Sequence, residues 1–277
     1  MESYSTTKWW DADTVAVVSG SNKGIGFEAA RILAEQGLTV VVTSRNEDLG
    51  KEALAKIQAA APGAKVLFHQ LDIADPFSIA NFAQWMKGSV GSVTILINNA
   101  GFAYKGNTFG PEEAKTTLGV NYYGTRQLTE ALLPLMKPPA RIVNVSSRAG
   151  LRSIVRSPEL LKRLTGAATT PQLDELAEEF VSSIRAGNHM AKGWPDTMYG
   201  VSKLMLSLYT LQLAGQLKDK GVVVNAMCPG WCRTDMSSKR GTKSAAEGAD
   251  TAVWLALRPP AEASTGGFWG ERSAIGW

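Results

Sequence analysis

The sequence predicts an α/β fold: a Rossmann-like, doubly wound parallel sheet carrying a helical insertion late in the chain. Three observations predict it. Short β-branched runs alternate with helix-length stretches. The runs are apolar on both faces, as strands are when helices cover each side of a sheet. A glycine-rich loop joins the first run to the first helix. Right-handed crossovers then wind the sheet in two directions from its centre.

The elements read in order. Residues 14–19 (TVAVVS) form a buried strand, and 24–36 (GIGFEAARILAEQ) a helix closed by Gly37. Residues 39–43 are a second strand, and 47–60 a second helix stopped by Pro62 and Gly63. Further strands are expected at 65–70, 93–98, 141–146 and 222–227, with a last short one at 267–269. Helices are expected at 75–87, 111–136, 197–217 and 244–257. Residues 151–198 break the rhythm, being too long for an ordinary loop. Within them Thr170 and Pro171 suit an N-cap and first helical position, and Leu173, Leu176, Ala177, Phe180, Val181 and Ile184 share one helical face. With no internal repeat or linker, residues 1–277 read as one domain with 151–198 inserted.

Composition narrows the function. The chain is 44% hydrophobic and 19% charged over 277 residues, within the range of a soluble globular protein. Its 29 basic and 25 acidic residues give a net charge of +4 without any block of like charge, so nucleic acid is not an expected partner. The arginines and lysines at 148, 152, 156, 162 and 163 read as a solvated basic face. Two cysteines, Cys228 and Cys232, make no disulfide framework, and with only His69 and His189 they make no zinc site, so no metal is expected. No apolar run reaches membrane-spanning length, and the first residues lack the form of a secretory or transit signal. A cytoplasmic location is the expectation.

The loop Gly20-Ser21-Asn22-Lys23-Gly24-Ile25-Gly26 follows a strand and opens a helix. There glycines let backbone amides approach a pyrophosphate at the positive end of the helix. The end of the second strand distinguishes the dinucleotides. An acid would bind a ribose 2′-hydroxyl, whereas a cation accepts a 2′-phosphate. Ser44-Arg45 stands there, and Lys23 adds a second cation, so a carboxylate-free, phosphate-seeking pocket and NADP(H) are expected.

Tyr199 and Lys203, four residues apart on an expected helix, share a face. A nearby ammonium favours phenolate and lowers the tyrosine pKa, making the pair a general acid or base. Tyr4 and Lys8 show the same spacing in the N-terminal tail, but only Tyr199 follows the fifth strand. Ser147 ends that strand, where ligands of open α/β sheets bind, and its hydroxyl can hold a carbonyl oxygen. A serine hydrolase is disfavoured for want of a Gly-x-Ser-x-Gly elbow and a placed histidine.

At this point the chain resembles the short-chain dehydrogenase/reductase superfamily. The resemblance rests on Gly20-x3-Gly24-x-Gly26, Asn98-Asn99-Ala100-Gly101, Asn121, Ser147, Tyr199-x3-Lys203 and Pro229-Gly230, in the family's order and across nearly the whole length. It is nearer to the carbonyl reductases and their plant relatives, the menthone/neomenthol and salutaridine reductases. Ser21 to Phe27, His69 to Ile73, Gly193-Trp194-Pro195, Tyr199 to Lys203, Cys228 to Met236 and the insertion before Tyr199 carry that part.

The resemblance implies roles. Tyr199 would protonate the carbonyl oxygen while NADPH delivers hydride, and Lys203 would lower the tyrosine pKa and bind the nicotinamide ribose. Ser147, rather than Ser146, would orient the carbonyl, and Asn121 would hold a water linked to Lys203. Gly20, Asn22, Lys23, Gly24, Ile25, Gly26 and Arg45 would bind the cofactor. Asp72 and Ile73 would flank the adenine, and Asn99, Ala100 and Gly101 would line the groove. Cys232, Arg233 and Thr234 would meet the nicotinamide end, and Pro229 and Gly230 would also bind the cofactor. Ser19 stands where the family usually has threonine, and Cys232 where relatives often have an aliphatic residue. The insertion would cover the helical face that relatives use to oligomerise, so a monomer is expected.

The leading function is an NADPH-dependent carbonyl reductase acting on a small hydrophobic ketone, aldehyde or quinone. An NADP-dependent alcohol dehydrogenase working oxidatively on a terpenoid or alkaloid alcohol uses the same residues, and a non-catalytic NADP-binding sensor is the third reading. Phe102, Tyr104, Trp194, Trp231 and Met236 read either as an apolar substrate pocket or as ordinary packing.

Overall fold

The structure is a computed structural model that describes residues 8–277. Tyr4 lies outside the described residues. Eight strands form one sheet in the order β3-β2-β1-β4-β5-β6-β7-β8. They are β1 (Val15–Val18), β2 (Thr39–Ser44), β3 (Val66–Gln70), β4 (Val93–Asn98), β5 (Met136–Val145), β6 (Val222–Met227), β7 (Phe268–Gly270) and β8 (Ser273–Ile275). The first seven run parallel, and β8 folds back antiparallel on β7. The winding reverses between β1 and β4, which opens a crevice beyond their carboxyl ends.

Helices cover both faces, and the alternation within β1 shows how. Ala16 and Val18 face a core shared with α1 (Gly24–Glu35), α2 (Glu47–Ala60) and α9 (Ala245–Leu257). Val15 and Val17 face the opposite core. That side is made by α3 (Pro76–Trp85), α4 (Pro111–Leu118), α5 (Thr125–Leu132), α6 (Pro158–Gly166), α7 (Thr170–Arg185) and α8 (Met198–Leu217). Local chemistry sets the helix starts. Asn46 accepts from Leu49 N at 2.9 Å, Asp75 caps α3 ahead of Pro76, and Ser244 and Glu247 cap each other's amides on α9.

Four elements depart from the sequence expectation. The helix expected over 111–136 is broken by a π-helical turn at Gly119–Gly124 and ends in a 3-10 turn at Leu133–Leu135. The helix expected over 75–87 passes into a second π-helical stretch at Met86–Val90. Strand β5 starts at Met136 rather than Arg141, because the ladder with β4 shifts register there. Val93 pairs with Met136 and Ile95 with Arg141, and two prolines without N–H groups occupy the extra length. In the insertion the cap is Thr169, one residue earlier than expected, whose N–H donates to Gln172. The insertion also holds α6, capped by Ser157, which the sequence reading left undefined.

The insertion is packed down on the body. Leu173, Leu176, Ala177 and Phe180 share a core with α8. Asp174 on α7 accepts from the Tyr122 hydroxyl at 2.9 Å and pairs with Arg126 at 2.8 Å. Trp194, one of the residues proposed to line a pocket, is 2% exposed. It packs on Phe180 and donates to Glu179, so it is a core residue of the insertion.

Candidate active site

The glycine loop lies in the crevice between β1 and β4. Gly20 and Gly24 both take φ +61°, a region that side chains rarely adopt. A Cβ on Gly26 would strike the Asn99 amide and the Gly20 carbonyl, and one on Gly20 would lie 3.0 Å from Ala100 Cα. The loop after β4 holds it in place. Asn99 Nδ2 donates to the carbonyls of Ser19 and Gly20, each at 3.0 Å. The amides of Asn99 and Ala100 both donate to Ser19 Oγ at 3.0 Å. The hydroxyl at position 19 therefore ties β1 to β4, which serine does as well as threonine.

The start of α1 has no side-chain cap and no acid in its first turn. Its free amides and the side-chain-free cradle before them fit the pyrophosphate of a dinucleotide. Arg45 follows β2 on the same rim. It is exposed, and its guanidinium has no ion pair among the described residues. Asp72 and Ile73 follow β3, with Asp72 tied to its own turn through Ser78 Oγ and Ala74 N. One expectation fails here. The cation pocket is not free of carboxylates, since Lys23 Nζ lies 2.6 Å from Asp235, which also holds Lys239 at 2.8 Å. Asp235 arrives on the long loop after β6, far away in sequence, and the paired ammoniums hold its carboxyl down at about 2.

That loop folds back over the glycine turn. Thr234 Cγ2 lies 3.4 Å from the Cβ position of Gly24, and Gly230 bends the chain with φ +78°. Arg233 donates to Thr242 O at 2.7 Å and so fixes the loop on itself. Cys232 is buried against Gly248 of α9, where its thiol fits because Gly248 has no side chain. Burial pushes that thiol up.

Beyond the crevice, the carboxyl ends of β5 and β6 meet α8. Thr197 caps α8, accepting from Gly200 N at 3.0 Å, and this brings Tyr199 and Lys203 to the sheet. Lys203 is 4% exposed. Its Nζ donates to Val145 O at 2.8 Å and lies 5.8 Å from the centre of the Tyr199 ring. Burial lowers its pKa to about 8. Burial pushes the Tyr199 phenol up to about 12, although the facing Ser147 hydroxyl favours the anion. The phenol thus moves opposite to the direction reasoned from a neighbouring ammonium, because desolvation of the anion outweighs the groups that favour it. Cys228, at the end of β6, adds to the upward push on Tyr199.

Ser146 and Ser147 part company at the end of β5. Ser146 is buried, bonded to Lys203 O and to Ser207, whereas Ser147 faces the cleft and caps the next turn through Ala149 N. Asn121 sits on the π-helical turn, a distortion common at functional sites. Its side chain exchanges hydrogen bonds with the Phe102 backbone, 2.7 Å and 2.8 Å, and donates to Ser202 Oγ at 2.9 Å. Gly101 lies between, with its Cβ position 3.3 Å from Asn121 and 3.5 Å from Lys203 Nζ. The structure therefore gathers Asn121, Ser147, Tyr199 and Lys203 beside the glycine cradle. Sequence reasoning missed Cys228 and Asp235 as neighbours of the site, and a buried ladder beneath it. There Asn98 Nδ2 donates to Thr129 and Asn144, and Asn144 Nδ2 to Thr210.

Comparison with known proteins identifies relatives of this chain. A family model described as short chain dehydrogenase matches residues 14–158, and one described as enoyl-(acyl carrier protein) reductase matches 178–257. Carbonyl reductase (NADPH) 3 of Mus musculus is 40% identical over 255 residues, 89% of this chain and 91% of the mouse protein. The solved salutaridine reductase of Papaver somniferum has a TM-score of 0.84 at 31% identity, covering 92% of this chain and 99% of that one. The menthone neomenthol reductase of Mentha piperita gives 0.80 at 31% identity, covering 92% and 97%. The chain belongs to the short-chain dehydrogenase family of oxidoreductases.

Proposed function

We propose that the protein is an NADPH-dependent carbonyl reductase that reduces a small hydrophobic ketone, aldehyde or quinone, with Tyr199 as general acid. The observation that carries this reading is the meeting of Ser147 and the protonated Tyr199 phenol at the carboxyl ends of β5 and β6, beside a cradle shaped for a dinucleotide. When bound, NADPH supplies hydride. Gly20 to Gly26 and the amides of α1 would hold its pyrophosphate, Arg45 would supply positive charge for its 2′-phosphate, and Lys23 would add to it only in part, since Asp235 pairs with it. Asp72 and Ile73 flank the adenine. Asn99, Ala100 and Gly101 line the groove, and Pro229, Gly230, Cys232, Arg233 and Thr234 close the nicotinamide end.

Ser147 Oγ donates to the substrate carbonyl oxygen and orients it. Tyr199 gives that oxygen its proton, a role suited to a phenol that keeps its proton throughout the neutral range. Buried Lys203 restores charge balance beside it, and Asn121, which holds the Phe102 backbone and Ser202 Oγ, would hold a water linked to Lys203. The mouth is apolar, with Phe102 and Tyr104 edge to face at 4.8 Å and Trp231 57% exposed. The curated relatives named carbonyl reductase (NADPH) support both the cofactor and the substrate class.

The test is NADPH oxidation with a panel of carbonyl compounds. Tyr199→Phe is expected to lower kcat by about 10²–10⁴-fold while the fold is kept. Equal rates for the two proteins would overturn the assignment. We read the whole chain as one domain and as a cytoplasmic monomer, the latter supported by α7 lying over α4 and α8. Light scattering that shows a stable tetramer would refute the monomer. No helix among the described residues is long and apolar enough to cross a membrane.

A further inference from the structure

One cation at the mouth of the cleft has no role in the reaction just described. Arg148 directly follows Ser147, and its backbone is firmly held. Its N–H donates to Cys228 Sγ at 3.3 Å, and its carbonyl accepts from Leu151 N at 3.3 Å. Two residues on, Gly150 lies flush against the α8 backbone at Lys203 and Leu204. The guanidinium is exposed, and one of its terminal nitrogens lies 3.6 Å from the Cβ position of Gly270, at the carboxyl end of β7. It therefore stands on the ligand side of the sheet, between the ends of β5 and β7.

The acids nearby are already engaged. Glu271, on the turn after β7, pairs with Lys243, although Arg148 also stabilises its charge from a distance. Asp235 holds Lys23 and Lys239. Among the described residues Arg148 has no ion pair, and Trp231 and Met236, on the loop after β6, are exposed apolar side chains. A guanidinium presents paired donors that match a carboxylate.

We propose that Arg148 is a specificity-determining residue, which selects carbonyl substrates that carry an oxyanion such as a carboxylate. The inference rests on the reading of Ser147 and Tyr199 as the carbonyl site. Such a substrate places its carbonyl at Ser147, its apolar body against Trp231 and its anionic end on Arg148.

The probes are 4-acetylbenzoate and its neutral counterpart 4-acetylbenzamide, with NADPH as reductant. The readout is the ratio of kcat/KM for the acid to that for the amide. Arg148→Gln is expected to lower this ratio by about five- to tenfold, the scale of a partly exposed charge-assisted pair. Arg148→Lys restores most of it, and Arg148→Glu lowers it further. Raising the salt to 0.5 M moves the wild-type ratio toward that of Arg148→Gln, through screening. A ratio unchanged in Arg148→Gln overturns the inference. If the wild type reduces neither probe, calorimetric binding to the NADPH-loaded protein decides. Tighter binding of the acid in wild type than in Arg148→Gln upholds the role of Arg148, and the reductase reading is then decided separately by the carbonyl panel with Tyr199→Phe. Equal affinities, or no binding of either probe, overturn it.

Discussion

Replacing Lys203 with methionine is expected to stabilise the protein while removing the ammonium that supports Tyr199. The ammonium is almost completely buried, and burial lowers its pKa from 10.5 to about 8. That displacement corresponds to about 3 kcal/mol of native-state cost in the charged form. Methionine has a similar shape and carries no charge. It leaves Val145 O without the donor that Lys203 provides, at a cost of about 1 kcal/mol. The balance is a gain of about 2 kcal/mol at neutral pH, or roughly 3–4 °C in Tm for a chain of this length.

The pH dependence gives this reasoning its sharpest check. Because the folded pKa of Lys203 lies below the unfolded one, the unfolded chain binds the extra proton between about pH 8 and 10.5. The cost of burial is therefore complete below pH 8 and disappears as pH rises through that window. The advantage of Lys203→Met is greatest at pH 7 and small at pH 10. Thermal unfolding followed by circular dichroism at both pH values measures it, and NADPH oxidation reports the loss of activity. A variant that melts below wild type at pH 7, or a difference that stays the same at pH 10, would refute the reasoning.

Two further outcomes follow from other parts of the structure. Arg45→Glu places an acid at the end of β2, and it is expected to shift the NADPH to NADH ratio of kcat/KM at least tenfold toward NADH; an unchanged ratio would remove Arg45 from the 2′-phosphate site. Asp174→Ala strips the partner from the buried Tyr122 hydroxyl and from Arg126, and it is expected to cost about 2 kcal/mol in urea unfolding with m unchanged. A midpoint equal to wild type would show that α7 is held by its apolar face alone.

Much of the architecture was legible in the residues themselves. Strands such as 222–227, apolar on both faces, announce a covered parallel sheet, and Gly20, Gly24 and Gly26 sit where backbone conformation or close approach excludes a side chain. The spacing of Tyr199 and Lys203 became a site because it fell on a helix that follows a strand. The boundaries were less legible. A proline pair hid the start of β5, since a register shift that tolerates prolines depends on the partner strand. The π-helical turn that carries Asn121 lies within a stretch whose pattern reads as continuous helix.

Local order alone thus determined the fold class, the glycine cradle and the helix that bears the phenol and ammonium, because period, turn chemistry and capping act over a few residues. The electrostatics waited for the tertiary structure. Asp235 reaches Lys23 across more than two hundred residues, Asp174 reaches Arg126 from the insertion, and packing drives the Tyr199 phenol up and the Lys203 ammonium down. Charges respond to whatever lies near them in space and to the water they lose, and neither is written in the order of the chain.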